Sequence, residues 1–313
     1  MIISKTITAI YYDLKPIIPR RIQIALRRKL ILRNRNAHSH VWPILEEAGK
    51  SPKGWTGWPD QKQFALILTH DVDTARGQQI CPKLMELEVD LGFRSLFNFV
   101  PERYQVSSEL RADLVNNGFE VGVHGLNHDG KLFRSRKIFK ERSTKINHYL
   151  KHWKSVGFRS PAMHHNLEWI HDLDIQYDMS TFDTDPYEPQ SDGVSTIFPF
   201  WVDGTSNENG YVELPYTLPQ DFTLFVLMKE TDIDIWKQKL NWIVKNRGMA
   251  LLNTHPDYMA FNGTKIKVDQ YPAKHYRKLL EHIKRRYEGL YWHVLPREMA
   301  RHFSSDSLKE VNV

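Results

Sequence analysis

A single cysteine, Cys81, is present in 313 residues. That excludes an intramolecular disulfide and a cysteine-rich metal centre, and it suits a reducing compartment. Long hydrophobic runs are missing too: nothing approaches the ~20 apolar residues that a bilayer-crossing helix needs. The opening residues Met1-Ile2-Ile3-Ser4-Lys5 and Thr6-Ile7-Thr8-Ala9-Ile10-Tyr11-Tyr12 have too short an apolar part, and no convincing cleavage site, for a secretory leader. The expectation is a cytoplasmic protein. No internal repeat and no phosphate loop of the glycine-lysine type occurs. Acidic residues are scarce in one place: residues 1–40 hold nine Lys and Arg against Asp13 alone, or +8. With a total of +6, the rest of the chain carries 6 − 8 = −2. The basicity belongs to the N-terminal segment, which argues against nucleic acid as a partner of the body.

Hydrophobic residues make up 41% of the chain and aromatics 12%, enough to bury a substantial core in one large α/β domain. Residues 14–35 predict a basic helix with Pro19 in its first turn. Ile22, Ala25, Leu26 and Leu30 share its apolar face, with Arg20, Arg21, Arg27 and Arg28 elsewhere. Such a helix either meets anionic lipid or another polyanion, or packs against the body with a solvated side. Residues 41–62, with Pro43, Pro52, Pro59, Gly54, Gly57 and three Trp, predict an irregular connector.

From Phe64 the chain alternates. Strands are expected over 64–68, 95–100, 119–123, 156–158, 175–181, 249–254 and 292–295. Helices are expected over 82–91, 108–117, 137–155, 232–246 and 272–287, with a short one after Asn166. Gly118, Gly157 and Gly248 serve as helix stops, and residues 183–222 as a long loop with hairpin strands. This alternation predicts a parallel β/α sheet or barrel. The expected domains are 1–62, the basic helix and connector; 63–303, the barrel; and 304–313, a tail.

The chemistry follows the strands. Residues 64–68 are an unbroken apolar run, as in a strand buried on both faces, and they lead into His70, Asp71 and Asp73. Asp71 and Asp73 leave the same side of an extended chain. Their alternative use is as turn or helix-capping acids. Residues 119–123 are followed by His124 and His128, residues 156–158 by Arg159, Ser160 and Pro161, and residues 249–254 by His255-Pro256-Asp257. Asp178, Asp183 and Asp185 lie in and after 175–181. In a β/α barrel all these strand ends open onto one face. His124 and His128, four apart as on one helical turn, with an acid from the first cluster would form a three-ligand metal site. The pair His148–His152 reads as a solvated helix face, His164-His165 as turn residues and His171 as a helix end. Trp201, Tyr211, Tyr216 and Tyr258 either stack on sugar rings or form the small core of a loop.

Thr69-His70-Asp71-Val72-Asp73, His124-x-x-x-His128, Arg159-x-Pro161 and Leu252-Asn253-Thr254-His255, in this order, resemble the motifs of the polysaccharide deacetylase family (NodB-homology domain, carbohydrate esterase family 4). The resemblance spans about residues 64 to 295. It implies a distorted (β/α) barrel of about seven parallel strands and metal-dependent removal of an N-acyl group, typically acetyl, from an amino sugar in a polysaccharide or glycolipid. By the same resemblance Asp71 is the catalytic base and Asp73, His124 and His128 hold one divalent ion; a two-histidine, one-carboxylate set suits zinc first, with cobalt, nickel or ferrous iron as alternatives. Arg159 orients the base, His255 is the general acid, Asp178 tunes it, and the Ala162 N–H beside Pro161 is the oxyanion donor. Three positions depart from the pattern: His70 stands in place of an aromatic residue, Val72 separates acids that are usually adjacent, and Ala162 stands where an aromatic usually follows proline. The alternatives are a related amidohydrolase or deformylase on a lipid-linked or non-sugar amide, and an inactive carbohydrate-binding barrel.

Overall fold

The structure, a computed structural model, describes residues 18–204, 210–261 and 266–304. The residues on which the leader reading rests, positions 14–17 of the predicted basic helix, and the tail beyond Ser304 lie outside them.

β1 (Phe64–Val72) is the axis, and all nine of its residues are buried. β2 (Leu96–Phe99), β3 (Glu120–His124), β4 (Gly157–Arg159) and β5 (Tyr177–Asp178) add to it in succession, every pair parallel. β6 (Phe200–Val202) and β7 (Tyr211–Glu213) form an antiparallel pair, with β7 parallel to β5. β8 (Met249–Thr254) returns to the other edge of β1, along residues 65–70. β9 (Met259–Ala260) and β10 (Tyr271–Pro272) make a separate two-stranded sheet, and β11 (Tyr291–His293) pairs with residues 64–66. Beyond β7 the chain reaches β8 through one isolated bridge, Leu218 to Leu252. Strands β1, β2, β3, β4, β5, β7 and β8 thus curl into a seven-stranded ring whose last seam is that bridge. The ring is the expected distorted barrel.

Helices cover the ring. Among the described residues they are α1 (Arg20–Asn34), α2 (Ala75–Leu91), α3 (Ser108–Asn116), α4 (Arg136–Trp153), α5 (Leu167–Ile170), α6 (Asp234–Lys245), α7 (Lys274–Tyr287) and α8 (Pro296–Ser304). Side-chain caps start four of them: Thr74, Ser107, Ser135 and Asn166 each accept from a backbone N–H three residues on. The Thr74 cap starts α2 seven residues before the expected position 82, and Pro82 sits inside the helix. α8 was not anticipated, and the predicted loop 183–222 supplies β7 and the bridge to β8. It runs into a π-helical segment, Phe222–Leu227.

Two glycines read as helix stops serve otherwise. Lys154 (φ 54°) and Arg247 (φ 56°) take the left-handed positions after α4 and α6. Gly157 lies in β4, where a Cβ would come within 1.9 Å of the Tyr177 ring, and a Cβ on Gly248 would come within 2.3 Å of Ile197. Both positions need a missing side chain, not a left-handed backbone.

The apolar face assigned to α1 is also turned. Ile24 and Ile31 face the body, whereas Ile22, Leu26, Leu30 and Leu32 are 50%, 57%, 45% and 53% exposed. Three of its arginines reach the inner side: Arg28 donates to Val226 O at 2.8 Å and to Val268 O at 2.7 Å. Arg20 and Arg27 stand over the Phe222 ring at 5.4 and 5.2 Å. The connector is equally bound to the body. Trp42 and Trp58 share one core with β1, and Trp58 stacks on Phe198.

Candidate active site

Strands β1, β3, β4 and β8 end where the sequence places its chemistry, and the side chains that follow them meet at the C-terminal rim of the ring. Asp71 lies within β1 and Asp73 one residue beyond it. His124 closes β3. His128 is not on a helical turn with it, contrary to the expectation. The chain reverses in a turn where Gly125 (φ 59°) and His128 (φ 55°) are both left-handed. Gly125 is required twice over, since a Cβ there would also lie 2.4 Å from Pro161 Cδ.

One ligand atom each from Asp73, His124 and His128 lies within 4.8 Å of the others. Asp73 Oδ1 is 3.0 Å from His128 Nε2 and 3.6 Å from His124 Nε2. The Nδ1 of His124 is 3.0 Å from the Arg159 carbonyl. In a neutral ring that contact makes Nδ1 the donor and leaves the Nε2 lone pair facing Asp73. Burial depresses the pKa of His128 despite the Asp73 charge, which favours its neutral, ligating form. Asp73 Oδ1 is itself buried without a hydrogen-bond partner. A carboxylate oxygen in that state is costly unless a cation completes it, so the donor set fits a divalent ion.

Asp71 is surrounded by donors. Asn98 Nδ2 (3.0 Å) and Arg159 Nη1 (3.2 Å) reach its Oδ1, and Asn253 Nδ2 (2.7 Å) reaches Oδ2. Burial alone would raise its pKa, but His124, Arg159, His255 and the Asn98 bond outweigh burial and hold it at about 2. Arg159 is wholly buried and fixed by Thr69 Oγ1, Asn253 Oδ1 and the Met179 carbonyl. His70, on the opposite side of β1, faces Thr254 and Glu88 and takes no part.

His255 Nδ1 lies 2.7 Å from Asp221 Oδ1, and its backbone N–H donates to Asp221 Oδ2 at 2.9 Å. Burial opposes the imidazolium, but Asp221, then Asp73 and Asp71, raise its pKa to about 10. Asp178, expected to tune this histidine, does not touch it. Its carboxylate accepts from the N–H and hydroxyl of Ser180, and burial pushes it upward beside Glu213. Asp183 pairs with Lys239 and Asp185 accepts from Tyr216, so neither joins the site. Ala162 adopts φ 56° in the turn Pro161–Met163.

The sequence alone did not single out Asp221, Asp257, Asn98 or Asn253 for a role. Asp257 accepts from the Asp73 N–H at 2.8 Å and from Thr74 Oγ1, steadying the segment that carries Asp73. Asn253 stood inside a quoted motif. Asp221, an acid directly before an apolar run, was the one available cue for the partner of His255. Tyr211, Tyr216 and Tyr258 are all buried, and of these Tyr258 belongs to the wall of the site and donates to Asp73 Oδ2 at 3.3 Å. Arg20 of α1 in turn donates to the Tyr258 hydroxyl at 3.2 Å.

No protein-family model matches the sequence, and no curated protein does. Solved structures do match. A protein from Mycobacterium smegmatis described as a polysaccharide deacetylase superposes with a TM-score of 0.62 at 17% identity, over 82% of this chain and 95% of that one. A second, from Pseudomonas aeruginosa PAO1 and described likewise, gives 0.60 at 14% identity over 81% and 94%. The Puue allantoinase gives 0.59 at 13% identity over 83% and 97%. The likeness carried by the motifs therefore extends to the architecture: the chain has the curled, mostly parallel β/α barrel of these deacetylase-like structures.

Proposed function

We propose that the protein is a metal-dependent hydrolase that removes an N-acyl group, acetyl in the simplest case, from an amino sugar. The observation that carries this is the convergence, on one rim, of a buried acid paired with an arginine, a two-histidine, one-carboxylate donor set and a histidine bonded to its own buried aspartate. Asp73, His124 and His128 would hold the ion, which when bound polarises an amide carbonyl and acidifies water. Asp71, held ionised by Arg159 and the asparagines, takes a proton from the attacking water. The Ala162 N–H, beside Pro161, is assigned to the developing oxyanion. His255 then gives its proton to the departing amine as the carbon–nitrogen bond breaks. Acid and base must be separate groups, one charged and one protonated at the same pH, and the opposite shifts of Asp71 and His255 meet that need. The same completeness favours an enzyme over an inactive sugar-binding barrel.

Removing the Asp221 charge tests the acid. Without that anion the imidazolium is less favoured, so the His255 pKa falls and the acid loses its proton at lower pH. Asp221→Asn should therefore move the alkaline limb of the pH–rate profile downward while leaving the acid limb in place. A limb that stays where it is would remove His255 from the acid role. In the loaded wild type the limb should lie below 10, because a cation offsets part of the Asp71 and Asp73 charge.

The reaction class is tested by measuring amine release from N-acetyl and N-formyl amino sugars, their oligomers, lipid-linked sugars and non-sugar amides, with divalent ions added. Turnover confined to amino-sugar amides is expected. Turnover confined to non-sugar amides, or sugar binding without any release, contradicts the proposal.

A further inference from the structure

The face that α1 turns away from the body has a composition of its own. Ile22, Leu26 and Leu30 repeat every four residues along it and are about half exposed, with Leu32 at its border. Arg21, Lys29 and Arg33 lie exposed among them. No acidic residue occurs anywhere between residues 14 and 45. Four large aliphatic side chains exposed on one helix are a cost in water, and charge repulsion along the helix adds to it. The position of α1 is equally specific. Its inner side rests on the wall of the site, through Arg20 on Tyr258 and Arg20 and Arg27 on Phe222, and Tyr258 reaches Asp73. Only the thickness of one helix, roughly 10 Å, separates the outward face from that wall.

We infer that α1 is an interfacial helix that seats the rim of the barrel on an anionic lipid bilayer. Ile22, Leu26, Leu30 and Leu32 enter the boundary between headgroups and acyl chains, while Arg21, Lys29 and Arg33 meet the lipid phosphates. Charge complementarity selects this occupant: a face with cations and no acids suits a negatively charged surface, and its aliphatic side chains need an apolar phase. The docking stands independently of the chemistry. Its consequence, that the amide is presented at a membrane surface, rests on the hydrolase proposal.

Co-sedimentation with vesicles of phosphatidylcholine, with and without 30 mol% phosphatidylglycerol, tests it in the full chain. Binding should require the anionic lipid and weaken as salt rises. Lys29→Ala/Arg33→Ala should lose roughly 25-fold in vesicle affinity, at about fivefold per surface cation. Leu26→Asp/Leu30→Asp should abolish binding while far-ultraviolet circular dichroism, thermal midpoint and ion content stay as in the wild type. Wild-type protein that stays in the supernatant at low salt overturns the proposal whatever the variants do, as does binding indifferent to these changes. A lipid-free dimer that Leu26→Asp/Leu30→Asp converts to monomer, seen by sedimentation velocity, would assign the face to a second copy instead. Loss of amide turnover with vesicle binding intact would count against the hydrolase proposal alone.

Discussion

Asp71→Asn is expected to lower turnover by roughly 10²–10⁴-fold, the usual contribution of a positioned base, while the chain still binds its ion. The atoms proposed to hold the ion belong to Asp73, His124 and His128, none of which the substitution changes. Asparagine is near in shape but cannot accept from both Asn98 and Arg159 on one oxygen and from Asn253 on the other. One of its positions becomes an N–H₂ facing a donor, so a stability loss of about 1–3 kcal/mol should accompany the catalytic one. Thermal unfolding and elemental analysis of the same sample separate the two effects. An Asp71→Asn variant that turns over normally, or arrives without ion, contradicts the assignment.

Asp73→Asn should do the reverse. Its Oδ1 is the buried, unpartnered atom between two imidazole nitrogens, so loss of its charge should weaken ion affinity directly. Excess divalent ion should restore part of the turnover, which it cannot do for Asp71→Asn. Titration with zinc or cobalt, read as turnover against free ion, distinguishes the two variants. If Asp71→Asn proves ion-free while Asp73→Asn is ion-loaded and inactive, the roles are exchanged across Val72.

How much of this could be read beforehand depended on whether the signal was local. β1 and β8 announced themselves because strands buried on both faces leave unbroken apolar runs. The clustering of Asp73, His124 and His128 was legible from residue type and position after a strand, yet its geometry was not. Spacing of four suggested a helical turn, and the chain instead uses two left-handed residues, Gly125 beside Pro161 and His128 itself. The partner of His255 was beyond reach for a different reason. Asp221 comes from 34 residues upstream, out of a stretch with no periodicity, and Asp178 was simply the acid at a strand end. Glycine misled twice because one residue type answers two needs, a left-handed backbone and a space without Cβ, and Gly157 and Gly248 answer the second. On α1, periodicity located the aliphatic stripe but not its direction. Arg20, Arg27 and Arg28 face inward because backbone carbonyls and the Phe222 and Tyr258 rings are there to receive them.

The central claim is that a divalent ion held by Asp73, His124 and His128 is needed for amide hydrolysis. The most direct measurement is amine release from an N-acetylated amino-sugar oligomer by chelator-stripped protein titrated with zinc, cobalt, nickel or ferrous ion. Turnover should be absent at the start, rise to saturation at one ion per chain, and be lost in His124→Ala together with the bound ion. Full turnover after exhaustive chelation, or saturation with His124→Ala equal to wild type, would contradict it.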